Sequence, residues 1–221
     1  MVKDLYNYRF ELFLVTQLAI LFGSLFFPMD FYEEVLLPLL YLIGILAGML
    51  MISKHKKMMW FFVLLFVTSA FIFGSSMISR REEENSILIR LLIYFIFYFV
   101  VSVNVIKQVW KAKMVNRKVI VGLMSGYISL GFLAFFLFMA IELIFPGAFQ
   151  GTLMESQSID VKSESLLYYS YITLLTIGYG EIIPVIPIAQ KAAVLVGLMG
   201  QFYLVIVTAV VVEKYIKHSS S

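Results

Sequence analysis

The chain lacks cysteine, carries only two histidines, His55 and His218, and is poor in charge, with 14% Asp, Glu, Lys and Arg over 221 residues. Without cysteine there is no disulfide, no thiolate nucleophile and no zinc–sulfur site, and the redox compartment stays open. The two histidines lie in polar segments far apart in sequence, so each reads as a solvated loop or tail residue rather than a ligand or base. No basic run interleaves with aromatics, and a net charge of +3 is too small to argue for nucleic acid. A G-x-S-x-G turn and a metal cluster are missing too, which argues against a membrane enzyme. What the chain has in excess is apolar residues, 62% of the total, where a soluble domain has roughly half. Lipid is the solvent this composition implies.

Crossing ~30 Å of hydrocarbon takes about 17–25 apolar residues. Six runs qualify: Phe10–Phe27, Val35–Ile52, Met58–Ile78, Ile87–Ile106, Val119–Phe145 and Pro187–Val212. The first is too long for the apolar core of a signal peptide and no A-x-A-like site follows it, so it reads as a retained helix. Between the fifth and sixth runs, Leu166–Leu175 is apolar but too short to span, and reads as a re-entrant half-helix. With the N-terminus cytoplasmic, Lys3, Arg9, Lys54, Lys56, Lys57, Lys107, Lys111, Lys113, Arg117, Lys118, Lys214 and Lys217 fall inside. Arg80, Arg81, Lys162 and Lys191 fall outside, with Arg90 near the outer end of the fourth run. That bias favours both termini inside, in a multi-pass protein of the cell membrane. Trp60 and Trp110 fit interfacial positions. Gly44–Gly48 and Gly122–Gly126 have the spacing of close helix approach. Lys54–Lys57 (KHKK) reads as a loop facing lipid headgroups, and Arg80–Glu84 (RREEE) as a solvated outer loop.

The half-helix leads into Thr173-Leu174-Leu175-Thr176-Ile177-Gly178-Tyr179-Gly180-Glu181, followed by Pro184. Placed between two spanning runs, this segment resembles the potassium-channel pore family and its T-x-x-T-V-G-Y-G-D signature. The resemblance covers roughly Val119–Lys214, and Gly200–Val212 resembles small bacterial potassium channels in particular. It implies that Thr176, Ile177, Gly178, Tyr179 and Gly180 form an ion filter. The carbonyls of Thr176, Ile177, Gly178 and Tyr179 would replace the hydration shell of K+. Gly178 and Gly180 would supply backbone conformations closed to most L-residues. Thr173, Tyr169 and Glu181 would support the filter, with Tyr169 bonding Glu181, and the half-helix C-terminus would favour a cation at the inner side. Ser163 or Ser165 would cap the half-helix, with Glu164 in its first turn. On the sixth helix, Gly200 matches the family's hinge position, close packing being the other use of a glycine there. Gln201, Leu204 and Thr208 would face a cavity, with Val212 at a hydrophobic gate. Departures are Leu175 before Thr176, the Tyr168–Tyr169 pair in place of tryptophans, Glu181 in place of aspartate and apolar Ile172 behind the filter.

One chain holds one such loop and a ring of carbonyls needs four, so the resemblance implies a homotetramer around a central pore. The expected fold is an all-α integral membrane protein of six transmembrane helices with a re-entrant pore half-helix and an extended filter loop. Residues 1–110 form a four-helix domain and 111–118 a basic cytoplasmic linker. Residues 119–218 form the pore domain: outer helix 119–145, outer loop 146–163, pore helix 164–175, filter 176–180 and inner helix 187–214. Residues 219–221 are a tail. A voltage sensor needs several charges in its fourth helix, at ~2.3 kcal/mol per charge per 100 mV. Ile87–Ile106 offers only Arg90. The expected function is passive, potassium-selective conduction without conventional voltage gating. A weakly selective or voltage-modulated cation pore, or a non-conducting regulatory subunit, are the alternatives. The expected partners are further copies of the chain and membrane lipids, with no cofactor beyond K+ in the filter, no nucleic acid and no small-molecule substrate.

Overall fold

A computed structural model describes residues 8–28, 31–52, 56–79, 84–111, 116–155 and 158–219. Lys3, Asp30, Lys54, His55, Arg80, Arg81, Glu82, Glu83, Lys113 and the last two serines lie outside the described residues, so the KHKK and RREEE segments and both chain ends stay as expectations. The elements are α1 (Arg9–Phe22), α2 (Leu37–Ile52), α3 (Lys56–Ser79), α4 (Glu84–Lys111), α5 (Arg117–Ile144), β1 (Phe149–Gln150), α6 (Ile159–Leu174), β2 (Ile183–Pro184) and α7 (Pro187–Ser219). Among the described residues three stretches are long and apolar enough to cross a membrane: Leu88–Gln108, Arg117–Ile144 and Pro187–Glu213. Leu37–Leu50 and Met59–Ile72 are shorter apolar helices, and α1 continues through a 3-10 turn, Gly23–Leu25.

The chain divides into two compact units, Met1–Gly126 and Tyr127–Ser221. The division falls inside α5. Asn116 starts it by accepting the Val119 N–H on its side chain at 3.1 Å, the bond an N-cap asparagine makes.

The first unit packs α1 to α4 around aromatic rings. Phe97 of α4 is its hub, edge-on to Phe13 of α1 (6.2 Å) and to Phe62 of α3 (5.4 Å). A Cβ at Gly48 of α2 would overlap that ring at 2.6 Å, so the glycine admits it. In lipid such contacts, and not water exclusion, hold helices together. Two polar pairs lie inside the unit: Ser125 donates to the fully buried Gln17 at 3.0 Å, and Ser69 bonds Tyr94, which stacks on Tyr41. A π-turn at Tyr32–Leu36 leads into α2, and the Tyr32 hydroxyl donates to the Ile20 carbonyl near the end of α1.

The second unit is built on the C-terminal part of α5, α6 and α7. Tyr171 of α6 lies against α5, its hydroxyl donating to the Ile128 carbonyl at 2.8 Å and its ring over Gly131, where any side chain would overlap it. Phe132 meets the same ring edge-on. α6 begins at Ile159, earlier than the expected 164, with Ser158 at the N-cap position. Ser163 and Ser165 therefore lie inside the helix, and Ser165 donates to the Leu153 and Val161 carbonyls. β1 and β2 pair antiparallel, Phe149 with Pro184 and Gln150 with Ile183, extended by the Val185 N–H to the Ala148 carbonyl at 2.9 Å.

Candidate functional site

α6 ends in a Schellman motif. The Ile177 N–H reaches the Ile172 carbonyl at 2.9 Å, and the Thr176 N–H reaches the Thr173 carbonyl at 3.0 Å. The motif requires a left-handed residue just past the C-cap, usually glycine. Here Thr176 takes that place at φ +57°. A β-branched residue in that region is an outlier of the kind that collects at functional sites.

From Thr176 the backbone alternates in hand. Gly178 has φ +61° and Gly180 φ +95°, with Ile177 and Tyr179 at negative φ between them. A β-strand, all at negative φ, points successive carbonyls to opposite sides; alternation of hand turns them toward the same side. A Cβ at Gly178 or Gly180 would meet no atom of this chain within 4 Å, so conformation and not space requires glycine at both.

Behind this segment lies a cavity of about 300 Å³ lined by Tyr169, Ile172, Thr173, Thr176, Gly178, Gly180, Glu181 and Ile182. The structure thus gathers the expected support residues around the expected filter. It corrects one pairing. Tyr168, not Tyr169, donates its hydroxyl to the Glu181 carboxylate. Adjacent residues point about 100° apart around a helix. Tyr168 turns to the outer end of the segment, while Tyr169 is buried against Phe138 and Phe149 and pairs with Thr173.

The bond to Glu181 pushes the Tyr168 phenol up to about 12. A raised tyrosine pKa means the bond holds below the ordinary value near 10 and is lost as pH climbs through about 12. We expect Tyr168→Phe to fold but to melt at a lower temperature in detergent at pH 7. The wild type should lose the same increment only above pH 10. Melting curves across the pH series check both.

The Gly180 end is held from the other side by a residue that no motif marks in the sequence. Glu142 of α5 is 4% exposed and accepts the Gly147 N–H (3.0 Å), the Phe149 N–H (3.2 Å) and the Lys162 ammonium (3.2 Å). A single acid closing an apolar run was the available signal. Gly151, at φ +143°, lies against the Glu181 carbonyl, where no side chain fits. Glu142→Gln keeps the size but weakens charge-assisted bonds, and should cost about 1.5 kcal/mol, read as a lower melting temperature in detergent.

On α7, Gly200 is buried, and a Cβ there would overlap the Leu174 carbonyl at the end of α6. α7 runs through it as one helix. Of the two uses of a glycine here, the structure displays close packing. Tyr127 donates to the same Leu174 carbonyl at 3.3 Å. The next residue, Gln201, donates its amide to the Thr176 hydroxyl oxygen at 3.2 Å. Gln201, Leu204, Thr208 and Val212 are three and four residues apart and all exposed in the single chain.

Residues 127–217 match a family model described as "Ion channel". The match opens on the first residue of the second unit and takes in every site residue above. No curated protein and no solved structure matches the chain. The family match supports an ion-channel pore in this unit, and together with the long apolar helices it supports a membrane protein rather than an enzyme.

Proposed function

We propose that the chain forms a potassium-selective channel, conducting K+ passively through a pore made by four copies, each giving one Thr176–Gly180 loop. The observation that carries this reading is the alternating hand of Thr176, Ile177, Gly178, Tyr179 and Gly180 directly after a helix too short to span. Such a backbone can present a column of carbonyls to a bare cation. The C-terminal end of α6 adds a negative dipole end beside Thr176. Ile177 and Tyr179 are 45% and 72% exposed in the single chain, so whatever braces them comes from neighbouring copies.

The same reading has six spans, α1 to α5 and α7, with both termini in the cytoplasm. It has no conventional voltage sensor. From Ile93 on, the buried face of α4 runs through Tyr94, Phe97, Tyr98, Val101, Ser102 and Val105 without a charge, and Arg90, one turn before Tyr94, stands half-buried at its start.

Flux into liposomes of the purified chain is the test. Uptake of K+ well above Na+, stopped by barium, is expected; equal uptake of both ions would refute the selectivity.

A further inference from the structure

The Thr176 hydroxyl sits at the junction of α6 and the filter, and one side chain from another element reaches it. The Gln201 amide donates to it at 3.2 Å. The approach is fixed by the residue before. Gly200 lets the backbone of α7 close on the Leu174 carbonyl, so the register of α7 against the end of α6 leaves little play. Thr176 is also held in the left-handed region by the helix cap, which limits its side-chain orientations to those that the backbone permits. A hydroxyl oxygen has two lone pairs. With one taken by the amide, the other keeps a defined direction.

We propose that Gln201 is a positioning residue for the innermost ion site: its amide orients the Thr176 hydroxyl and so ties cation affinity at the inner end of the filter to the position of α7. The inference rests on Thr176–Gly180 being the filter. It adds that an inner-helix side chain, not the filter alone, sets the strength of that site. A shift of α7 that breaks the bond weakens the site without opening or closing the pore.

The test is K+-dependent thermal stability of the full-length protein in detergent, K+ being titrated against Na+ at constant ionic strength. This readout does not need conduction. Gln201→Met has nearly the same length and no donor. Loss of one neutral hydrogen bond predicts about a fivefold rise in the K+ concentration for half-maximal stabilisation. Gln201→Asn, whose shorter side chain leaves the hydroxyl out of reach, should do the same, and serves if the methionine variant does not fold. A merely structural role would lower the melting temperature equally at every K+ concentration and leave the midpoint in place, and that result would overturn the proposal. On a Thr176→Val background, which has no hydroxyl, Gln201→Met should give no further shift in midpoint; a second full shift there would also overturn it. Failure of the underlying filter reading looks different: the wild type itself would be stabilised equally by K+ and Na+.

Discussion

Gly178→Ala should abolish selective conduction while leaving the helices in place. Glycine is needed at φ +61° although a methyl group would meet nothing in its own chain. Within one chain the penalty is therefore conformational, about 1–2 kcal/mol for an L-residue in the left-handed region. Four copies around one axis would multiply it to roughly 4–8 kcal/mol. A tenfold ion preference corresponds to ~1.4 kcal/mol. The alanine chain has a cheaper course, which is to rotate the peptide and turn its carbonyl off the axis. Flux of K+ against Na+ in liposomes should fall to near equality, or vanish, with unchanged helical circular dichroism. Retained selectivity would remove Gly178 from the filter.

Gly200→Ala should be the most destabilising single methyl group on α7. The atom that the new Cβ meets is the Leu174 carbonyl oxygen, part of a backbone that also accepts the Tyr127 hydroxyl. Backbone cannot rotate away as a side chain can, so the cost falls at the upper end of overpacking, about 3 kcal/mol. The internal comparison is Gly197→Ala, on the same helix, where a Cβ meets nothing within 4 Å of this chain. Alanine is the better helix former by up to about 1 kcal/mol. Melting temperature in detergent should fall for Gly200→Ala and hold or rise for Gly197→Ala. If Gly200→Ala melts like the wild type, the close approach of α7 to the end of α6 is wrong.

Much of the second unit was legible in the residues. Gly178 and Gly180 announce an unusual backbone because few other residues tolerate one, and the shortness of Leu166–Leu175 sets that helix apart from the longer apolar runs. Details decided by helix phase were not legible. Tyr168 and Tyr169 are neighbours of the same type, and only the angle at which α6 lies on α5 decides which of them reaches Glu181. That angle is set by the Tyr171 ring over Gly131, a contact forty residues apart in sequence. Thr176 was expected for its hydroxyl, while its left-handed backbone follows from a helix cap that has no glycine to signal it. Ser163 and Ser165 resemble capping residues and point to a later start for α6, whereas Ser158 takes that position. In the first unit, α2 is apolar on every face, which hides periodicity, and the role of Phe97 emerges from packing alone.

Thr176 belongs at once to the cap that ends α6 and to the column that begins beyond it. The two cannot be rearranged separately. Tilting that first residue unwinds a helical turn, whereas Gly180, four positions on, is tethered chiefly through Glu181, Gly151 and a two-residue ladder. Disorder in such a segment would spread from Gly180 back toward Thr176, the helix end acting as its anchor.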